Sequence, residues 1–385
     1  MCIRDRSKAR VIALYLPQFH PTPENDKYWG KGFTEWTNVA KATPLFRNHY
    51  QPRIPADLGF YDLRLPQIRE QQAQLAKEAG IEGFCYWHYW FGNGVETLQM
   101  PFDEVVKTKS PNYPFCVGWA VHDWTTKTWE KGNALAKDTT IFKQTFPGEE
   151  DDERHFYRLL DAFKDERYIK VDGKLLFVVI SPYLFPSFER FKEKWNSLAR
   201  ENGIPEFHFV GVIESLDQIN RESIKNLDNT VDKTIDSIKA LGVDAVCTIG
   251  QKYAEVKARG FARRMLFAIL RRIAPGSVLE KYDYAKIAEN IYSPSDKRED
   301  VYPQLLSGWD RSPRSGRKAT IYYNNTPKAF EKLAHNAIDV VKEKEPEHRI
   351  LFLNSWNEWG EGAYMEPDLK YGKGKLEALK RVLED

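Results

Sequence analysis

Eight short apolar, β-rich runs recur along this chain, each separated from the next by enough residues for a helix, and that alternation limits the folds open to it. The runs cover residues 11–19, 83–90, 115–121, 175–181, 207–214, 245–249, 302–309 and 350–356. Continuous apolar runs of this length suit parallel strands buried on both faces. Amphipathic stripes lie between them. Leu65, Ile68, Leu75, Ala76 and Ala79 form one stripe that ends at Gly80. Phe156, Leu159, Leu160 and Phe163 form a second, and Phe188, Phe191, Trp195 and Leu198 a third. Phe330, Leu333, Ala337, Ile338 and Val341 complete the last before the final strand. Eight strands alternating with helices favour an α/β fold of one closed (β/α)8 TIM barrel with long, aromatic-rich βα loops over a doubly wound sheet. The glycine fingerprint of dinucleotide folds is also missing after the first strand, where Pro17-Gln18-Phe19-His20 stands.

A chain of 385 residues with 42% hydrophobic residues suffices for one large barrel, here expected over residues 10–385. Residues 1–9 have no apolar core and fit no strand or helix pattern, so they are expected to be a disordered or non-native extension and not a signal peptide. A net charge of +2 argues against a general nucleic-acid binder. Cys2, Cys85, Cys116 and Cys247 lack metal or redox spacing, and three lie in strand-like runs, which points to free buried thiols and a cytoplasmic setting. No run of about 18 apolar residues spans a membrane.

Two stretches break the regular spacing. Residues 20–62, rich in Pro, Trp, Tyr and Asn, precede the first expected helix, and a loop that long in a compact domain is usually functional. Residues 252–298 form an insert in which Arg259, Arg263, Arg264, Arg271 and Arg272 surround apolar positions. It reads as a basic amphipathic helix, either a solvated outer helix or, through residues 259–272, a peripheral contact with an anionic membrane or acidic glycan.

In an α/β barrel the active site lies at the carboxyl ends of the strands, so polar and aromatic clusters there carry weight. Aromatics make up 14% of the chain, and sugar rings offer C–H faces that stack on indoles while their hydroxyls need carboxylates and amides. Strand one runs into Tyr15, Gln18 and His20, and the loop after it carries Glu35 and Trp36. Strand two ends in Trp87-His88-Tyr89, strand three in Trp119, His122, Asp123 and Trp124, and strand seven in Trp309-Asp310. All are candidate substrate contacts, although each also has a plain structural reading, such as a core histidine at His88 or a turn salt bridge at Asp310. The final run leads into Trp356-Asn357-Glu358-Trp359-Gly360-Glu361, with Glu366 beyond. Breaking an acetal takes a proton donor and a second group that stabilises the cationic carbon, commonly two carboxyls. Glu358 and Glu361 are the candidate catalytic pair. On a straight strand they would sit about 10 Å apart on opposite faces. A bend at Gly360 would bring them together, with Trp356 and Trp359 lining the cleft. No His-x-x-x-His spacing suggests a metal and no serine elbow is present, so neither metal nor cofactor is expected.

Several motifs in order resemble those of one family. Tyr15-Leu16-Pro17-Gln18-Phe19-His20-Pro21, Gly32-Phe33-Thr34-Glu35-Trp36-Thr37-Asn38, Tyr50-Gln51-Pro52, Arg167-Tyr168-Ile169-Lys170-Val171-Asp172-Gly173-Lys174 and Trp356-Asn357-Glu358-Trp359-Gly360-Glu361-Gly362 are similar to the WbsX-like family. Its members are named lipopolysaccharide-biosynthesis glycosyltransferases and are related to glycoside hydrolase family 99, which contains endo-α-1,2-mannosidases. The resemblance covers nearly the whole chain. It implies the barrel and metal-free retaining chemistry in which Glu358 is the base on a sugar 2-hydroxyl, giving a 1,2-anhydro sugar, and Glu361 the general acid. The chain departs from the family after strand three, where Trp-Ala-Asn-Glu-Asn-Trp is usual and Val121, His122 and Asp123 stand in the middle here.

Three readings stand at this point. The first is a retaining glycoside hydrolase acting on a bacterial polysaccharide or oligosaccharide. The second is a glycosyltransferase of surface-polysaccharide assembly. The third is a non-catalytic glycan-binding barrel. The chain shows neither an Asp-x-Asp pair nor a glycine-rich phosphate loop for a nucleotide sugar, and that places the transferase second.

Overall fold

The computed structural model describes residues 8–126, 139–213, 224–273 and 278–384. At its centre stand β1 (Arg10–Tyr15), β2 (Gly83–Trp90), β3 (Phe115–Trp119), β4 (Lys174–Ile180), β5 (Phe207–Val212), β6 (Ala245–Thr248), β7 (Val301–Leu306) and β8 (Ile350–Asn354). Each is parallel to its sequence neighbour, and β1 also pairs with β8, with Ile12 opposite Gly83 and Arg10 opposite Ile350. The sheet therefore closes on itself: this is a (β/α)8 barrel. Every residue of β1, β5, β7 and β8 is buried, as strands covered on both faces require.

Helices Pro66–Glu78, Met100–Thr108, Glu149–Phe163, Phe188–Glu201, Leu227–Lys239 and Pro327–Val341 connect successive strands, and Gly374–Glu384 follows the last. They turn most of the expected stripe positions inward, whereas Leu65, just ahead of the first of these helices, is exposed. Phe188–Glu201, for example, starts where the Ser187 side chain accepts the Arg190 N–H, and buries Phe188, Phe191, Trp195 and Leu198. Trp195 is fully enclosed by Phe156, Phe163, Phe177, Phe191 and Phe207, so much of the aromatic content is core filling rather than sugar platform. Cys85, Cys116 and Cys247 are buried free thiols, as expected. Cys2 and the rest of residues 1–7 lie outside the described residues.

Three expectations are corrected. The apolar runs overshoot the strands: β1 stops at Tyr15, because the backbone N–H and C=O of Leu16 bond to the Asn357 side chain (2.8 and 3.0 Å) instead of to a strand. The stretch 20–62 contains two short helices, Pro23–Trp29 and Glu35–Lys41. The basic insert is not one helix. Gly260, with φ +70°, separates Gln251–Arg259 from Phe261–Ile273, and Glu280–Asp283 and Tyr284–Asn290 follow. Among the described residues no helix is long and apolar enough to cross a membrane.

Candidate active site

After β8 the chain makes a tight hairpin in which Asn357 pairs with Tyr364 and Glu358 with Ala363. One turn of 3-10 helix, Trp359–Glu361, forms its tip. The bend brings the two glutamates together, but not through the backbone freedom of Gly360. The left-handed residue is Gly362, at φ +64°. Gly360 is required for space: a Cβ there would fall 1.6 Å from Glu35 Oε1. Beneath the hairpin, Asn357 is tied to Leu16, and Trp359 donates its indole N–H to Glu366 at 2.6 Å.

Arg314 is the centre of the site. Its Nη1 lies 2.6 Å from Glu361 Oε1 and 3.3 Å from Glu358 Oε1, which together cap the separation of those oxygens at about 6 Å. On its other side the guanidinium meets Glu35, which is fully buried. Burial disfavours the charge on Arg314, yet Glu35, Glu361 and Glu358 hold it well above its ordinary value. The two glutamates of the hairpin are pulled apart. Burial pushes Glu358 up to about 7, aided by the charge on Glu361 and opposed by Arg314. Burial acts on Glu361 as well, but Arg314 and Arg311 outweigh it and hold its carboxyl below the usual range. The geometry explains the asymmetry, since Arg314 is closer to Glu361, and Arg311 Nε lies 3.1 Å from that carboxylate. Of the interacting pair, Glu358 is therefore the one that keeps a proton to higher pH.

Both glutamates open into a cleft of about 510 Å³ at the carboxyl end of the barrel. All eight strands supply lining residues near or just past their carboxyl ends, through Leu14, Trp87, Ala120, Ile180, Val212, Ile249, Gln304 and Asn354. Of the expected contacts, Gln18, Trp87, Tyr89, His122, Trp124 and Trp309 line this cleft with Glu358 and Glu361. Tyr89 stacks on Trp124 at 5.9 Å between centroids, forming one apolar wall.

The other expected contacts lie outside the cleft, and each has a structural reason. Trp356 and Trp359 are fully buried beneath the hairpin instead of walling the cleft. Trp36 packs on Phe19, Tyr61 and Trp359, and donates to the Tyr61 carbonyl. Tyr15 donates to Gln72, and His20 is buried. His88 Nε2 lies 2.9 Å from His155 Nε2 on the outer side of β2, where Trp119 also packs against His155. Asp123 is exposed and accepts the Gln144 backbone N–H. Asn357 and Glu35 support the site from behind. Glu366 is a buried acceptor for Trp359, Gln72 and Tyr61, and burial pushes it up to about 7 against those bonds. Asp310 bonds His49, Gln51 and Arg53, so despite burial its carboxyl is held well below the usual range. It fastens the loop after β1 to the Ser312 turn that carries Arg314.

Sequence reasoning missed Arg314, along with Gln251, Lys252, Glu255 and Lys318 on the cleft wall. A signal for Arg314 existed only indirectly: three acids converging in an apolar site demand a buried cation. Among the described residues no group of three His, Cys, Asp or Glu is arranged to hold a metal ion.

One solved structure shares the overall fold. The structure of a glycoside hydrolase-like protein superposes with a TM-score of 0.60 at 13% identity, covering 98% of this chain and 94% of the other. A GH99 endo-alpha-mannosidase from Bacteroides thetaiotaomicron aligns over 97% of this chain and 94% of the other, at 15% identity and a TM-score of 0.48. In sequence, the protein WxcX of Xanthomonas campestris pv. campestris is 32% identical over 376 residues, 97% of this chain. The chain spans about half the length of that relative (50%). The profile named Glycosyltransferase WbsX matches residues 11–379. The chain therefore belongs to the WbsX glycosyltransferase family, a family of carbohydrate-active proteins.

Proposed function

We propose that this barrel is a glycoside hydrolase that cleaves a glycosidic bond in a bacterial polysaccharide or oligosaccharide, with Glu358 and Glu361 as its acid/base pair. One observation carries the reading: two carboxyls share one guanidinium in an aromatic-walled cleft at the barrel mouth. The cap of about 6 Å on the separation of their nearer oxygens favours retention, since retaining enzymes hold their carboxyls about 5–5.5 Å apart and inverting ones about 6.5–9.5 Å. Trp87 and Trp309 offer ring faces for sugar C–H surfaces, and His122 offers a polar contact to hydroxyls.

The charge pattern of the cleft suits Glu358 as the proton donor to the leaving oxygen and Glu361 as the carboxylate facing the sugar, the reverse of the roles implied by the family resemblance. Glu358→Gln and Glu361→Gln distinguish the two. Each is expected to lower turnover of a glycan by about 10²–10⁴-fold. An aryl glycoside with an acidic phenol needs no proton, so the variant that keeps activity on it has lost the acid. Retention by Glu361→Gln would restore the family assignment.

A transferase is the second reading, favoured by the family name and by the cations Lys252, Arg311 and Lys318 on the cleft wall. Release of reducing ends without any sugar nucleotide supports hydrolysis. Activity that appears only with a nucleotide sugar rejects it in favour of transfer.

A further inference from the structure

The helix Phe261–Ile273, Phe-Ala-Arg-Arg-Met-Leu-Phe-Ala-Ile-Leu-Arg-Arg-Ile, is unlike the other outer helices of the barrel. Met265, Leu266, Ile269, Leu270 and Ile273 are all exposed, Ile273 at 76% and Leu266 at 57%. At 100° per residue these five positions share one face spanning about 140° of arc. Four of its 13 residues are arginine and none is acidic. The helical positions of Arg263 and Arg272 fall at the two edges of that face. The face turned to the protein is held by Phe267, whose ring lies 4.1 Å from the Arg259 guanidinium.

We propose that this helix docks in the plane of an anionic membrane surface. An exposed apolar face of this width costs free energy in water and implies something that covers it. A bilayer interface fits on two counts: it takes up aliphatic side chains to the depth of one helix face, and its acidic headgroups complement arginines at the edges of that face. A protein partner would call for an acidic rim around an apolar groove, and a nucleic acid would leave the five aliphatic residues in water. The helix directly follows Gln251–Arg259, which supplies Gln251, Lys252 and Glu255 to the cleft, so docking would hold the barrel mouth beside the membrane. The inference rests on this face alone and stands whichever reaction the cleft performs.

Vesicle flotation of the purified protein tests it. Binding is expected to vesicles of phosphatidylcholine and phosphatidylglycerol at low salt, weaker at 0.5 M salt, and at least tenfold weaker to phosphatidylcholine alone (order of magnitude, from the worth of each interfacial arginine). Leu266→Glu with Ile269→Glu should abolish it, and Arg272→Glu should weaken it, while the urea unfolding midpoint and turnover of a soluble glycan stay at wild-type values. Three results would each overturn the proposal. The wild-type protein stays free of anionic vesicles at low salt, or the double variant floats as well as wild type. Alternatively, the face proves to be a contact between copies, shown by a dimer that the double variant converts to a monomer.

Discussion

The Arg314 guanidinium touches three carboxyls, those of Glu35, Glu358 and Glu361, which makes it the most consequential side chain outside the proposed acid/base pair. Arg314→Met leaves Glu35 fully buried with no counter-ion, at a cost of about 3–5 kcal/mol in urea unfolding. Adding Glu35→Gln should recover most of that loss, because the stranded charge is then gone. Unchanged stability in the single variant would mean that the site relaxes around water. Glu366 supplies a pH test. Its folded value near 7 lies above that of an exposed glutamate, so its stabilising contribution is full below the ordinary carboxylate range and fades as pH rises through 7. Glu366→Gln, which cannot ionise, should be least stable relative to wild type at pH 5 and close the gap by pH 8, as followed by denaturant midpoints. That Glu358 and Glu361 meet in the cleft was legible in the sequence because they follow the last strand among Trp and Asn. Arg314 was not, since nothing in Ser312-Pro313-Arg314-Ser315 separates it from a surface arginine. Nor does a motif reveal which way its tryptophans face, and Trp356 and Trp359 turned inward.

Among the elements, the hairpin after β8 does what no straight strand could. Gly360→Ala would press a methyl group onto Glu35, and overpacking of this kind costs about 1–3 kcal/mol. Because the displaced atoms hold Arg314, kcat should fall at least tenfold beyond what the stability change explains. Wild-type kcat in a folded Gly360→Ala protein would show that the pair tolerates a moved hairpin. Element types and order were legible from periodicity, and all eight strands lie within their apolar runs or one residue beyond them. Their ends were not, because a side chain from the far end of the chain, Asn357, satisfies the backbone where β1 would otherwise continue. The two helices within 20–62 were hidden for a related reason. Each is seven residues long, too short for a stripe to emerge.

For the whole molecule, the aromatic core is spatially separate from the cleft. Trp195 sits among phenylalanines between the outer helices and β4 and β5, away from the cleft. Trp195→Ala should cost about 3–5 kcal/mol in unfolding free energy while kcat stays within a factor of two in the folded protein. A large kcat loss would reveal coupling between that core and the site. The closed barrel itself was legible from eight alternating runs, whereas its aromatic richness misled, since composition does not separate packing from recognition. The cleft divides in the same way. Its base is drawn from every strand of the barrel, while Lys252, Glu255, Arg311 and Lys318 stand on the excursions after β6 and β7. If the cleft cleaves a glycosidic bond as proposed, a lineage can exchange the sugar by rewriting the excursion after β6 and the Val121-His122-Asp123 step, whereas the excursion after β7 is constrained by Arg311 and Arg314, which hold the two glutamates.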